Sequence, residues 1–197
     1  QLAQPDDVEI LSNGSFVVTD VDNNRIQLYS SDGSLLKSVS AKHLRLPNHN
    51  IVPTGVATDG DGFIYVSLEG VGRIARFTPE LIFDQFIGHP CSVSAENYYS
   101  TEHDGCLISP QGLVVAKNGD VYVIDMAKNV FKKNEVRNFG FRKFYQSIKS
   151  DKTVYLYDRD FAQSQEITAI MRKSEGMAIG PDQKTLYVAE EKPQKSQ

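Results

Sequence analysis

The sequence is poor in the residues that most often reveal a chemistry or a compartment. It has two cysteines, four histidines and no tryptophan among its 197 residues. Two cysteines are too few to hold a fold together through disulfides. No apolar run approaches the ~18 residues that a membrane-spanning helix needs. No basic-then-apolar leader is present, so we expect that any signal peptide was removed or never existed. These absences leave the compartment open.

Common catalytic and nucleotide-binding motifs are also missing. The sequence has no Walker-type loop, no G-x-S-x-G elbow and no H-E-x-x-H helix. Residues 70–75 match a G-x-G-x-x-A pattern, but they lead into a predicted strand, so no helix N-terminus could receive a pyrophosphate. The net charge of −4 argues against attraction of nucleic acid to the whole surface. The chain therefore carries no ready-made signature of an activity.

What the sequence does contain is an internal repeat. Four segments align, the last with one extra residue in its turn: 7–20, 55–68, 112–125 and 176–190. Each has a short apolar run, then Asn-Gly, Asp-Gly or Pro-Asp-Gln, then a β-branched and aromatic run. This order is typical of two strands joined by a tight turn that needs a positive φ. The second runs are almost continuously apolar, which predicts strands buried on both faces.

Two further β-prone runs follow the repeated pair in each complete unit. Third strands are predicted at 25–29, 73–77 and 153–157, and fourth strands at 35–39, 82–87 and 166–170. Repeated sheets of four antiparallel strands describe an all-β fold, a β-propeller. The sequence predicts about three and a half blades: 5–39, 53–87, 110–170 with an insertion at 126–152, and a half blade at 175–190. The alternative is a β-sandwich with accidental internal similarity.

The repeat also resembles a known family. The stretch 5–33, which contains Thr19-Asp-Val-Asp-Asn-Asn-Arg-Ile-Gln-Leu-Tyr29, closely resembles an NHL repeat, and 53–77 is a looser match. The last unit, with Pro181-Asp-Gln-Lys-Thr-Leu-Tyr-Val-Ala189, is similar to gluconolactonase and strictosidine-synthase propellers. The resemblance implies a ring of about six blades. We expect the missing blades to come from a longer chain of which this is a fragment, with a second copy or an unusual closure as alternatives.

Long loops between the predicted strands indicate where function lies. The surplus over a minimal blade falls at 41–52, 88–109 and 126–152. The first two connect a fourth strand to the next first strand, and the third connects a second strand to a third. In an antiparallel four-stranded blade both kinds of connection emerge at the same end. We therefore expect one loop-built face around the central opening, suited to binding a protein or a small-molecule ligand.

The histidines and cysteines all lie in two of these insertions. The candidates are His43, His49, His89, His103, Cys91 and Cys106. His89, Cys91, His103 and Cys106 could bind zinc, although their spacing matches no established zinc motif. A disulfide between Cys91 and Cys106, which would favour an extracellular location, and free thiols are the alternatives.

The resemblance to propeller enzymes implies a second kind of metal site. Lactonases of this type hold calcium through carboxylate and amide oxygens, and amidating lyases hold a metal through histidines. The nearest equivalents here are Glu175, at the start of the last unit, and Asp20, Asp125 and Glu190 at the ends of second strands. Glu175 replaces the asparagine usual in those enzymes, and no histidine stands at a blade start. Capping or turn roles for these carboxylates are the alternative.

The insertion at 126–152 has a different character. It is rich in lysine and arginine, including Arg142 and Lys143, with interleaved aromatic residues. Such a mixture can bind RNA through its phosphates and bases. Solvated lysines on a loop anchored by its aromatic residues are the alternative.

These observations favour a non-catalytic interaction scaffold with no established cofactor. The competing hypothesis is a calcium- or zinc-dependent propeller enzyme of lactonase, hydrolase or amidating-lyase type. RNA binding through the basic insertion is a third hypothesis, which the sequence favours less.

Overall fold

The computed structural model describes residues 1–46, 48–90, 106–126, 151–157, 164–166, 171–172, 174–183 and 185–190. Within these ranges the chain forms a series of antiparallel sheets in chain order. The first sheet contains β1 (Pro5–Ile10), β2 (Phe16–Asp20), β3 (Arg25–Tyr29) and β4 (Leu35–Ser40). A short 3₁₀ helix, Ala41–Leu44, follows it.

The second sheet repeats the same order. It contains β5 (Pro53–Thr58), β6 (Ile64–Leu68), β7 (Arg73–Phe77) and β8 (Phe83–Ile87), with a 3₁₀ turn at Glu69–Val71 between β6 and β7. A two-stranded parallel pair, β9 (His89–Pro90) and β10 (Cys106–Leu107), precedes the third sheet. The two complete four-stranded sheets confirm the predicted blade.

The third sheet is built on β11 (Pro110–Val115), β12 (Val121–Met126) and β13 (Asp151–Tyr157). Its outer edge consists of two short strands that both pair with β13, namely β14 (Ser164–Glu166) and β15 (Met171–Arg172). The predicted fourth strand at 166–170 overlaps β14 at Glu166, but β14 already pairs with β13 from Ser164, and 167–170 lie outside the described residues. The last sheet has β16 (Ser174–Ile179) and β17 (Leu186–Glu190).

The tight turns between first and second strands follow the predicted chemistry. Gly14, Gly62 and Gly119 have φ values of 82°, 86° and 92°. Gln183, with φ 56°, takes the same place in the fourth turn, which has one extra residue. Glycine is the usual residue here because it adopts positive φ without a steric penalty.

The core lies between successive sheets. The first cluster joins residues of blades 1 and 2, such as Val17 and Val56, and the second joins blades 2 and 3, such as Tyr65 and Leu113. β6 is buried along its whole length, which agrees with the predicted apolar second strands. The first strands β1, β5, β11 and β16 contact one another in chain order, so they form the inner wall of the arrangement.

Positions that are buried between blades are exposed on the two outer sheets. Val8 is 56% exposed, whereas Val56, its equivalent in blade 2, is 4% exposed. Tyr187 is 60% exposed, whereas Tyr65, at the same position in blade 2, is 1% exposed. Blade 1 and the last sheet thus each present an apolar face of the kind that other blades bury.

No helix among the described residues is long and apolar enough to cross a membrane. This finding agrees with the absence of a long apolar run in the sequence.

Candidate functional site

The described parts of the insertions meet at one end of the blades. The side chain of Asn24, between β2 and β3, accepts hydrogen bonds from the backbone N–H groups of Ile51 (2.8 Å) and Val52 (3.0 Å). These two residues close the 41–52 insertion. The connection after a second strand and the connection before a first strand therefore lie together, as the antiparallel topology predicts.

The glycines at 70 and 72 lie in the same crowded region. A Cβ at Gly70 would collide with the carbonyl group of Asn50, and a Cβ at Gly72 would lie 2.5 Å from the carbonyl oxygen of Leu107. Gly72 also has φ 58°. The G-x-G pattern is thus explained by close backbone approach between loops, and it leads into β7 and not into a helix.

The two ends of the 88–109 insertion are held together by backbone pairing. His89 pairs with Cys106 and Pro90 with Leu107 in a parallel register, so the two ends of the insertion are neighbours. His89 is exposed. Residues 91–105, which include Cys91 and His103, lie outside the described residues. The zinc site and the disulfide therefore both stay predictions.

A buried carboxylate attaches the N-terminal segment at this end of blade 1. Asp20 closes β2 and accepts hydrogen bonds from the backbone N–H of Ala3 (2.7 Å), the amide of Asn23 (2.8 Å) and Nε of Arg25 (2.7 Å). Its side chain has no exposed surface. Burial would raise the pKa of Asp20, but the hydrogen bonds from Ala3, Arg25 and Asn23 outweigh it and hold the pKa below its ordinary value.

Asp125 occupies the same repeat position in blade 3, but there burial and hydrogen bonding shift the pKa in the opposite direction. It accepts hydrogen bonds from the backbone N–H groups of Ile108 (3.0 Å) and Ser109 (2.6 Å), at the base of the 88–109 insertion. Arg25 has no equivalent here, because Thr153 pairs with Asp125. Burial raises the pKa of Asp125 to about 6, against the lowering effect of the two hydrogen bonds. Both carboxylates thus have the capping role that the sequence allowed as an alternative to calcium binding.

This difference predicts a pH-dependent stability. The carboxyl group of Asp125 ionises near 3.8 when unfolded and near 6 when folded, so the folded state binds more protons between these values. The free energy of unfolding should fall as pH rises from 4 to 6.5, by up to about 3 kcal/mol from this group. Urea unfolding at each pH measures the slope. Asp125→Asn should flatten this pH dependence, whereas Asp22→Asn, an exposed control, should leave it unchanged. If the wild type and Asp125→Asn showed parallel profiles, Asp125 would not be the titrating group.

A cavity of about 510 Å³ opens where the inner strands begin. Each inner strand has a register shift near its start: one extra residue stands between Pro5 and Val8 in β1, and equivalent shifts occur in β5, β11 and β16. Bulges of this kind re-aim side chains and backbone groups. The residues at or beside these bulges line the cavity: Asp6, Asp7, Gly55, Gln111, Gly112, Leu113, Gly176 and Met177.

The polar groups of this cavity are partly committed to holding the blades together. The carboxylate of Asp7 accepts hydrogen bonds from the backbone N–H of Val8 (2.8 Å) and of Val56 (2.9 Å) in the next blade. The Gln111 amide donates to Glu69 Oε2 at 3.4 Å. The cavity therefore offers amide and carboxylate oxygens to a polar ligand. Within the described part of the chain, no three His, Cys, Asp or Glu side chains converge as a metal site would require.

The structure describes three of the four candidate histidines, His43, His49 and His89. His43 Nδ1 accepts a hydrogen bond from the backbone N–H of Ser40 at 3.0 Å and so caps the 3₁₀ helix that follows β4. His49 is exposed in the 41–52 insertion. Glu175 lies at the register shift of β16, between Ser174 and Gly176. Arg142 and Lys143 lie outside the described residues, and the RNA hypothesis stays a prediction.

The cavity residues Asp6 and Gln111 were not among the candidates from the sequence. Their place in the repeat could have indicated them. When the four units are aligned, both residues stand immediately before the column that contains Asp7, Gly55, Gly112 and Gly176. That column is the bulge at the start of every inner strand.

Comparison with known proteins agrees with the repeat and the sheets. Residues 2–29 match the NHL repeat. A gluconolactonase from Xanthomonas campestris is 17% identical, with a TM-score of 0.66, 96% of this chain and 55% of that chain covered. A virginiamycin B lyase from Staphylococcus aureus is 16% identical, with a TM-score of 0.62, 95% of this chain and 49% of that chain covered. A structure of a nidogen/laminin complex matches at 13% identity with a TM-score of 0.56, covering 92% of this chain and 54% of that one.

At these identities the comparisons show the fold alone. The chain spans about half the length of the six-bladed propeller chains that it matches. No curated protein matches its sequence.

Proposed function

We propose that the chain is a binding module whose loop-bearing face receives a protein or a small-molecule ligand at the cavity between the inner strands. One observation carries the proposal: the bases of the described insertions meet at the end of the blades where the bulged starts of the inner strands surround the cavity. A rigid set of sheets that presents variable loops around a polar opening suits recognition.

The polarity of the cavity supports a ligand with hydrogen-bonding groups. Asp6 and Asp7 stand on one side of it and Gln111 on another. Leu113 and Met177 add apolar surface. Such a combination of a few polar groups with apolar walls fixes the orientation of a bound molecule.

A fragment library screened by protein NMR tests the proposal. Fragments should perturb the backbone amides of the cavity residues, and Gln111→Ala should weaken their binding by about two- to tenfold, the effect of one lost hydrogen bond. Gln85→Ala, on the outer strand β8, is the matched control and should leave the affinity unchanged. The proposal fails if fragments cluster away from the cavity or bind both variants equally well.

A metal-dependent enzyme is the second candidate function. The oxygen-lined cavity and the structural similarity to a gluconolactonase favour it. Against it, the Asp7 carboxylate already accepts two backbone hydrogen bonds.

Metal content separates the two candidates. Elemental analysis of protein purified without chelator should find far less than one calcium or zinc ion per chain if the module only binds. Stoichiometric metal, together with calcium-dependent hydrolysis of a sugar lactone, would replace the binding module by the enzyme.

A further inference from the structure

A second cavity lies between blades 2 and 3 at the end away from the insertions. It has a volume of about 230 Å³ and is lined by the turn after β5, by side chains of β6 and β7, and by the turn after β11. The two turns are in close contact, because a Cβ at Gly60 would lie 3.0 Å from the carbonyl oxygen of Lys117. The cavity is thus walled by backbone that packing holds in place.

Two charged residues at this cavity, Asp59 and Arg76, have apolar counterparts in blades 1 and 3. Asp59, Tyr65, Arg76 and Asp84 stand one repeat, 48 residues, after Leu11, Val17, Leu28 and Leu36, and the tyrosine recurs at the same repeat position as Tyr122 and Tyr187. The first three of those blade 1 residues are buried in the core, and the paired registers of β2–β3 and β6–β7 confirm the equivalence. Blade 3 has Ala116 and Leu156 at the positions of Asp59 and Arg76. Polar residues placed where the repeat has apolar ones are characteristic of functional sites, since burying them costs stability.

Hydrogen bonds hold this network in one arrangement. The Asp59 carboxylate accepts from the backbone N–H of Asp61 (3.0 Å) and Phe63 (2.9 Å) and from the Tyr65 hydroxyl (2.8 Å). Burial and the neighbouring Asp59 raise the pKa of Tyr65, so its hydroxyl stays protonated and donates. The positions of the carboxylate and the aromatic wall are therefore set before any ligand arrives.

The charge of the cavity is negative. The guanidinium group of Arg76 forms an ion pair with Asp84, with Nε and Nη2 at 2.6 and 2.5 Å from Oδ2, and lies 4.8 Å from the centre of the Phe63 ring. Its charge is thus balanced by Asp84. The carboxylates of Asp59, inside the cavity, and of Asp61, exposed at its mouth, have no second cation among the lining residues.

The size and the walls fit an extended cationic side chain. At about 30 Å³ per water-sized group, the volume accommodates roughly seven such groups, as many as the non-hydrogen atoms of an arginine side chain. The half-buried ring of Phe63 offers apolar surface for its methylene stem, and the carboxylates offer acceptors for its head group.

We propose that this cavity binds the guanidinium or ammonium group of a basic side chain carried by a peptide or protein partner. The site lies at the opposite end of the blades from the loop-bearing face. An experiment that disproves cation binding here therefore leaves the proposed binding at the loop-bearing face untouched.

An NMR titration with N-acetyl-arginine methylamide tests the proposal. Saturable shifts are expected at the amides of 59–65 and 118–119, with a dissociation constant in the millimolar range. The citrulline analogue, which has the same shape without the charge, should bind at least fivefold more weakly. Equal binding of the two probes, shifts confined to the loop-bearing face, or no saturable shift would each overturn the proposal.

The repeat supplies matched variants for the same titration. Asp61→Asn installs the residue found at the equivalent turn positions 13 and 118, so folding should be preserved. It should weaken binding by about two- to fivefold, as expected for one exposed ion pair. Asn13→Asp adds the same charge to the blade 1 turn, where Leu11 and Leu28 replace the polar network, and should not bind the probe. An Asp61→Asn variant with wild-type affinity would overturn the proposal.

A pentapeptide with a central arginine tests the nature of the partner. It should bind at least as tightly as the capped amino acid. If its flanking residues weaken binding tenfold, the cavity accepts only a small cationic molecule and the assignment to a peptide partner is wrong.

Discussion

Replacing Gly55 by alanine is expected to lower the free energy of unfolding by about 3 kcal/mol, the upper end of the range for overpacking a tight contact. Gly55 lies in the bulge of β5, in close contact with the inner strand of blade 3. A Cβ there would lie 2.5 Å from the carbonyl oxygen of Gln111 and 3.0 Å from Cα of Gly112. Since both obstacles are backbone atoms, relief requires the two strands to move apart. Urea unfolding followed by circular dichroism measures the loss.

The same repeat position in blade 1 provides the control. Asp7 stands where Gly55 stands in blade 2, and its carboxylate spans to the N–H of Val56. Asp7→Ala removes hydrogen-bond acceptors without creating a collision, so we expect a smaller loss of about 1–2 kcal/mol. If Gly55→Ala were no more destabilising than Asp7→Ala, the close approach of β5 and β11 would not be the reason for the glycine.

Replacing Asp20 by alanine is expected to lower the free energy of unfolding by about 3 kcal/mol. The change leaves the N–H of Ala3, the amide of Asn23 and the guanidinium group of Arg25 without their shared acceptor. Loss of one partner of a buried ion pair typically costs 3–5 kcal/mol, and we take the lower end because the Arg25 side chain is 29% exposed. Chemical unfolding at pH 7 measures the effect.

Acid unfolding separates the charge of Asp20 from its hydrogen bonds. Because the folded-state pKa of Asp20 is lowered, its contribution is present above its ordinary pKa and is lost as pH falls below that value. Asp20→Asn keeps one acceptor oxygen for Ala3, so it should fall between the wild type and Asp20→Ala at pH 7 and should unfold with a weaker acid dependence. If the two variants were equally stable at pH 7, hydrogen bonding by the remaining oxygen would contribute nothing.

Most strands and turns were predictable because they depend on local chemistry. The Asn-Gly and Asp-Gly pairs determine turns with positive φ at Gly14, Gly62 and Gly119, and the apolar runs that follow them determine buried second strands. The outer strands were predicted less accurately. At 166–170 the apolar pattern is weak, and hydrophobicity does not encode the register in which Tyr157 pairs with Ser164.

The candidate site was predictable only in its location. In an antiparallel blade, the connections from second to third strands and those from fourth strands to the next first strand emerge at the same end. This rule predicted the loop-bearing face. The topology could not identify Asp6 or Gln111 as cavity residues. Both lie beside a bulge, and a bulge changes the direction of the side chains around it, which the alternating pattern of a regular strand does not predict. Nor could it assign His43 to a cap, since that role depends on where the chain turns after β4.

The amino-acid sequence by itself determined the repeat, the blade and the end of the blade where the insertions emerge, because turn residues and apolar alternation act over a few neighbouring positions. Only the tertiary structure decided what the individual side chains do. Asp20 and Asp125 occupy one repeat position and yet differ in the direction of their pKa shifts. Burial raises the pKa of Asp125, whereas at Asp20 the effect of burial is outweighed by the hydrogen bonds from Ala3, Arg25 and Asn23. The polar cavity of blade 2 likewise exists because residues far apart in the chain, from Asp59 to Asn118, meet between two sheets.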